Sequence, residues 1–343
     1  MKAVVYDAPR SFAVRDVPVP KPGPGELLIR VLASGVCGTD LHLHEGQFMA
    51  AWPMTPGHET IGHVVALGAG VTGFAVGQFV AVNPNRSCGG CAYCREGRPL
   101  LCVALTGAGT TRPGGFAELL KVPADDVFDV EGLDPDVAVF TEPLACVVHG
   151  VDRARVMPGA SALVIGAGPT GLLLAQLLAR AGAASVTSAD IAAFKLRTAE
   201  ALGVDRTLLM DRNDLAGDVA RLRALAGPGA DGYDLVVDAT GIGAVGEACP
   251  SLARNGGTIL LYGVADERDR IRISPYEVFR RELTILGSMA EIDTFPNAIA
   301  LLRSGRVRTD GIISHRFGLE DYGTALDTLR HDPTAHKLVI QPA

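Results

Sequence analysis

Residues 161–171 read Ser-Ala-Leu-Val-Ile-Gly-Ala-Gly-Pro-Thr-Gly. The apolar run up to Gly166 suits a buried strand, and the leucine-rich stretch from Pro169 to Arg180 suits a helix with proline in its first turn. Between them Gly166-Ala167-Gly168-Pro169-Thr170-Gly171 fits G-x-G-x-x-G, a weak signal alone and a specific one between a strand and a helix. Its glycines permit a tight turn and let backbone N–H groups and the helix N-terminus approach a pyrophosphate. Gly166, Gly168, Pro169, Thr170 and Gly171 are therefore candidate dinucleotide-binding residues. Asp190 closes the next strand, 19 residues beyond Gly171. A carboxylate there bonds the adenosine ribose hydroxyls and repels a 2′-phosphate, which favours NAD over NADP. Lys195 and Arg197, on the following helix, temper that preference. Thr240, Gly263 and Val264, at the ends of later strands, complete the cofactor-binding candidates.

Strands are expected at 161–166, 185–190, 207–210, 234–240, 258–263 and 283–287, with helices at 169–180 and 194–202 between the first three. That alternation predicts a parallel, doubly wound α/β sheet. The first 145 or so residues differ, with short β-branched runs at 3–6, 26–32, 62–67 and 78–83 separated by turn signals such as Pro22-Gly23-Pro24-Gly25. Beyond Ser288 a helix near 295–302 and a strand at 337–340 return to mixed character. The stretch 162–179 holds no charged residue over 18 positions and by length alone would admit a membrane span. Gly166, Gly168, Pro169 and Gly171 break it near its start, so it reads as strand, turn and buried helix, and no membrane segment is expected.

Composition agrees with a folded chain of about two domains: 343 residues, 48% hydrophobic and 20% charged. A net charge of −7 favours neither nucleic acid nor an anionic membrane as partner. The N-terminal ten residues carry Asp7 and Pro9 and lack a long apolar run, so no signal peptide is expected and a cytoplasmic, reducing location is.

Four of the seven cysteines crowd into Cys88-x2-Cys91-x2-Cys94-x7-Cys102. In a reducing compartment such clustering points to metal rather than disulfides. Four thiolates form a closed tetrahedral shell, so a structural zinc is expected, with an iron–sulfur cluster or bare thiols as alternatives. A zinc-ribbon nucleic-acid module is disfavoured by the acidic chain. A second group, Cys37-Gly38-Thr39-Asp40-Leu41-His42 with Gly57-His58-Glu59 and the downstream Thr141-Glu142-Pro143, offers one thiolate, an imidazole and one or two carboxylates. Such a set can bind zinc and leave a position for water or substrate.

The order of these motifs resembles the zinc-containing medium-chain dehydrogenase/reductase superfamily over essentially the whole chain. Gly57-His58-Glu59-x2-Gly62 is similar to its zinc signature, and the Glu-Pro at 142–143 is similar to its sorbitol, threonine and butanediol dehydrogenase branch. The resemblance implies a GroES-like, mostly-β catalytic domain over 1–147 and 289–343, a structural zinc lobe at about 85–103, and a Rossmann NAD-binding domain over 148–288. It implies two zinc ions per subunit, with Cys37, His58, Glu59 and Glu142 at the catalytic one and Cys88, Cys91, Cys94 and Cys102 at the structural one. Glu59 and Glu142 can exchange with water in that branch. Cys146, four residues past Glu142, is read as a core residue.

Zinc lowers the pKa of a bound hydroxyl, which prepares an alcohol to lose hydride to the nicotinamide. By resemblance Thr39 accepts the hydroxyl proton and His42 passes it on through the nicotinamide ribose, a role that suits an imidazole. Asp40 is expected to orient His58. The polar character implied by Glu142 favours a polyol or other secondary alcohol; a threonine- or butanediol-dehydrogenase-like enzyme is the alternative. A zinc-free or purely binding member is disfavoured by the quartet and the Cys37/His58 pair. Residues 47–53 do not settle chain length or stereochemistry. The resemblance further implies a homo-oligomer, tetramer or dimer, with 283–287 as a sheet-edge contact.

Overall fold

The computed structural model describes residues 1–227 and 229–342; Pro228, and Ala343 at the end of the expected 289–343 segment, lie outside the described residues. The chain opens with a hairpin of β1 (Lys2–Ala8) and β2 (Ser11–Asp16). β3 (Glu26–Val36) leads into α1 (Gly38–Glu45), followed by β4 (Glu59–Leu67) and β5 (Phe79–Val82). A cysteine-bearing lobe carries β6 (Asn85–Arg86), α2 (Ala92–Arg95) and β7 (Thr106–Gly107). β8 (Leu119–Pro123), β9 (Val127–Asp129), α3 (Pro135–Ala138) and α4 (Thr141–Ala154) follow. Strands and helices then alternate: β10 (Ser161–Ile165), α5 (Pro169–Arg180), β11 (Ser185–Asp190), α6 (Ala193–Ala201), β12 (Arg206–Leu209), α7 (Leu215–Leu225), β13 (Tyr233–Asp238), α8 (Gly243–Leu252), β14 (Ala253–Leu261), α9 (Pro275–Arg281) and β15 (Thr284–Gly287). The chain ends with α10 (Phe295–Arg303), β16 (Ile313–Phe317), α11 (Tyr322–His331) and β17 (Lys337–Ile340). Two compact units result. One comprises Met1–Ala145, Ala290–Thr309 and Ile313–Ala343, the other Cys146–Met289 and Asp310–Ile312.

In the first unit a seven-stranded sheet runs in the order β16-β17-β3-β4-β5-β9, with β8 also paired to β3. Leu27, Ile29, Val31, Val64 and Val80 are sealed in its core, each contributing about 1.5–3 kcal/mol by burial. A second cluster joins Tyr6, Leu43 and Phe116 to Tyr322, Leu326 and Leu338 from the C-terminal segment. β17 lies antiparallel to β3, so the last strand of the chain borders the end of β3 that leads into Cys37. β3 extends four residues past the expected end at 32, and β4 begins at Glu59 rather than 62. The added residues, Ala33-Ser34-Gly35-Val36 and Glu59-Thr60-Ile61, have mixed strand propensity; their mutual pairing, and that of β17 with Ser34–Val36, supplies what local preference does not.

The second unit holds a six-stranded, wholly parallel sheet ordered β12-β11-β10-β13-β14-β15. Covered on both faces, its central strand is continuously apolar: Ala162, Leu163, Val164 and Ile165 are all buried. The strand order reverses between β10 and β13, which places a ligand crevice beyond their carboxyl ends. No helix among the described residues is long and apolar enough to cross a membrane, since the uncharged stretch is divided between β10, the glycine turn and α5.

Candidate metal and dinucleotide sites

Cys37 caps α1 at the end of β3, with extended backbone (φ −122°, ψ 164°). Its N–H donates to Asp40 Oδ2 at 2.9 Å, which fixes the turn. His58 and Glu59 enter from the start of β4, after Gly57. That glycine sits at φ +98°, and a Cβ there would come within 2.6 Å of the Phe116 nitrogen. Glu59 lies directly across the ladder from Gly35, so their side-chain positions share one face of the sheet. A Cβ on Gly35 would stand 1.9 Å from Glu59 Oε2; the missing side chain is the space the carboxylate occupies.

Donor atoms of Cys37, His58 and Glu59 lie within 4.8 Å of one another. Asp40 Oδ1 and His58 Nδ1 are buried without a hydrogen-bond partner, and Glu59 Oε2 is met by the Lys337 ammonium. Burial opposes a charge on His58, yet Asp40, Cys37 and Glu142 together hold its pKa well above the usual imidazole value. Such anionic surroundings, with a thiol, an imidazole and a carboxylate converging, fit a divalent cation. Glu142 is outside this close set; it is buried in the first turn of α4, near enough for its charge to act on His58. Asp40 stands 3.9 Å from His58 Nδ1, a close charge contact too long for a hydrogen bond. Thr39 and His42, three residues apart on α1, share a helix face. Thr39 Oγ1 lies 3.8 Å from Cys37 Sγ, and His42 Nδ1 lies 3.2 Å from Gln47 Oε1. An amide oxygen only accepts, so Nδ1 carries the proton in that pairing.

Two buried groups in this unit escaped the reading of the sequence. Lys337, only 3% exposed, forms an ion pair with Glu59. Burial works against its charge, but Glu59, Cys37 and Glu142 outweigh it and raise its pKa. Its position at the head of the buried run Lys-Leu-Val-Ile was the available signal. Glu291, fully buried, accepts from the side-chain amides of Asn83 and Asn85, both at 3.3 Å. Burial, then the charge of Glu142, pushes its carboxyl well above the ordinary range. Nothing in its local sequence marks it. Cys146 is half-buried on α4, among residues that are mostly buried, and not fully sealed as expected.

Cys88, Cys91, Cys94 and Cys102 also converge, with ligand atoms within 4.8 Å of one another. Backbone N–H groups point at the sulfurs: Cys88 and Ala104 donate to Cys102 Sγ at 3.2 and 3.3 Å. Those of Cys94 and Val103 bring the Cys91 thiol down to about 6. Donors aimed at sulfur favour the thiolate, the form that binds metal.

In the second unit Gly166 adopts φ +100° directly after β10. A Cβ on Gly171 would lie 1.8 Å from Gly166 O, so only glycine lets α5 pack against the turn. A Cβ on Gly168, the N-cap of α5, would meet nothing within 4 Å, which leaves the helix N-terminus open to an anion. Asp190 Oδ2 accepts from Ala167 N–H at 2.7 Å and Oδ1 from Ala192 N–H at 2.8 Å, tying the carboxylate to the glycine turn. Thr240 donates its hydroxyl to Asp238 Oδ1 at 2.6 Å beyond β13. Gly263 packs so closely that a Cβ would come within 2.2 Å of Gly241 N, and Val264 is exposed. The Lys195 ammonium lies 5.9 Å from the Phe194 ring centre.

Comparison with known proteins agrees with both halves of this architecture. The alcohol dehydrogenase GroES-like domain family matches residues 23–132, and the zinc-binding dehydrogenase family matches residues 169–304. D-arabinitol dehydrogenase 1 of Uromyces fabae is 41% identical over 330 residues, 96% of this chain and 94% of that protein. D-altritol 5-dehydrogenase of Agrobacterium fabrum is 38% identical over 343 residues, 98% of each. A Sinorhizobium meliloti 1021 protein, crystallised with NADP bound, superposes with a TM-score of 0.92 at 37% identity, over 99% of both chains.

Proposed function

The chain belongs to the zinc-containing medium-chain dehydrogenases, in their polyol-dehydrogenase-like branch, and from that premise we propose that it oxidises a secondary hydroxyl of a polyol or related alcohol to a ketone, with NAD as hydride acceptor. The observation that carries this reading is the convergence of Cys37, His58 and Glu59 in a chain whose second unit is a Rossmann sheet with an open glycine turn.

Cys37 and His58 hold the catalytic zinc, with Glu59 or Glu142 as the exchangeable carboxylate, and the quartet Cys88, Cys91, Cys94 and Cys102 holds the structural zinc. When bound, zinc polarises the substrate hydroxyl and NAD accepts the hydride. The chain's own residues do the rest. Gly166–Gly171 and the N-terminus of α5 seat the pyrophosphate, Asp190 takes the ribose hydroxyls, and Thr240, Gly263, Val264 and Lys195 border the cofactor. Thr39 would take the hydroxyl proton, and His42 would pass it on towards solvent. Asp40 orients the His58 ring. A screen of NAD reduction against arabinitol, altritol, sorbitol, xylitol, galactitol, butanediol and threonine tests the substrate class. Turnover of polyols is expected; turnover of threonine alone would replace this reading with the amino-alcohol alternative.

Two further outcomes follow from the assigned roles. Asp190→Ala removes a charged acceptor worth about 1.5–3 kcal/mol, so NAD affinity falls roughly 10-fold to 100-fold. NADP affinity falls less, because repulsion of its 2′-phosphate goes too, although both lose the ties to Ala167 and Ala192. An unchanged ratio of the two dissociation constants would remove Asp190 from cofactor selection. His42→Ala slows oxidation at pH 7 by up to about 10²-fold and is partly relieved at pH 9, where hydroxide takes over proton removal. A loss equal at both pH values would count against the relay.

A cytoplasmic, homo-oligomeric enzyme completes the reading. Its support is an acidic chain without a spanning helix among the described residues, and the edge position of β15, near which α9 exposes Tyr276 and Phe279. Sedimentation of the purified protein as a monomer would remove the oligomer.

A further inference from the structure

Lys337 is the one lysine among the described residues that is buried, and it is buried against a candidate zinc ligand. The β-ladder explains how it gets there. β3 is flanked by β4 on one side and β17 on the other. Gly35 faces Glu59 across the first ladder and Val339 across the second. Carrying that register on by two residues sets Lys337 opposite Cys37, on the same face as Glu59. The cleared space over Gly35 then admits both side chains: a Cβ there would meet Glu59 Oε2 at 1.9 Å and Lys337 Cε at 2.7 Å. Charge accounts for why a lysine is needed. The Cys37 thiolate, Glu59 and Glu142 carry three negative charges against the two positive ones of a zinc ion, buried Asp40 adds to the anionic side, and Lys337 supplies a positive charge that offsets part of that excess. Without it, a carboxylate sealed from water would have only the metal to pair with.

We propose that Lys337 is a positioning residue that competes with the metal for Glu59, holding that carboxylate in an ion pair so that the ion bound through Cys37, His58 and Glu142 keeps a position open for substrate. This rests on the reading of Cys37 and His58 as zinc ligands. With three protein ligands the site is open, and with Glu59 as a fourth it is closed. The C-terminal strand therefore decides whether this site is catalytic or merely filled.

Cobalt(II) substituted for zinc reports the coordination directly. Lys337→Met is of similar length and carries no charge. It is expected to weaken the visible d–d absorption of the second cobalt ion, as an added ligand does, and to slow its removal by a chelator about tenfold, the scale of effects from groups that surround metal ligands. kcat falls in parallel, and Lys337→Arg retains the wild-type spectrum. The double variant Glu59→Gln with Lys337→Met returns spectrum and release rate to wild type, because no carboxylate remains to be captured. Glu59→Gln alone, which does not depend on the folding of the lysine variant, leaves the wild-type spectrum unchanged. A shifted spectrum in Glu59→Gln, or an unmoved spectrum and release rate in Lys337→Met, overturns the role of Lys337. Uptake of only the one cobalt equivalent owed to the cysteine quartet would instead overturn the zinc reading on which it stands.

Discussion

Cys37→Ala and His58→Ala are each expected to lower turnover by about 10³-fold or more and to release one of two zinc equivalents. The magnitude follows from losing a cation worth several kcal/mol of transition-state stabilisation, at about 1.4 kcal/mol per tenfold in rate. Both residues sit in the first unit, whereas the glycine turn and Asp190 belong to the second. Binding of NAD, followed by quenching or calorimetry, should therefore persist. Measured metal content separates this from general damage: the quartet keeps its ion and the melting midpoint moves little. Full activity with only one zinc equivalent would end the assignment.

Cys102→Ala is expected to cost stability before chemistry. Cys102 is the buried member of the quartet, and its sulfur accepts two backbone N–H groups. Its loss leaves three thiolates and an open shell in a lobe whose regular elements are only two to four residues long. Structural zinc binding is worth on the order of 10 kcal/mol in isolated zinc-finger peptides. Most of that is local here, because the rest of the unit has its own core. The expected result is one zinc equivalent lost, rapid proteolytic cleavage within about 85–103, and a lowered melting midpoint. Activity per surviving folded molecule should be largely retained. A protease-resistant lobe in the metal-free variant would show that the thiols pack without an ion.

The dinucleotide half was legible because its signals are local. Apolar strands with period and length of their own, a glycine turn at fixed spacing and Asp190 at the next strand end all lie within 30 residues of one another. The observed strands differ from the expected ones mainly at their termini, where fraying and hydrogen-bond criteria leave little for a side chain to mark. The quartet was legible for the same reason. α4 was not: no helix was expected around Thr141-Glu142-Pro143, yet Pro143 fits the first turn of a 14-residue helix.

The sequence by itself determined which chemistry the chain carries. Its thiols, imidazoles and carboxylates, its parallel α/β half and its quartet follow from residue type and short spacing. Only the tertiary structure decided which acidic groups stand near His58, and that Lys337 pairs with Glu59. Such contacts are set by the register of β17 on β3 and by the empty space over Gly35. Register depends on how whole strands bury their faces, and no local pattern around residue 337 or residue 59 encodes it.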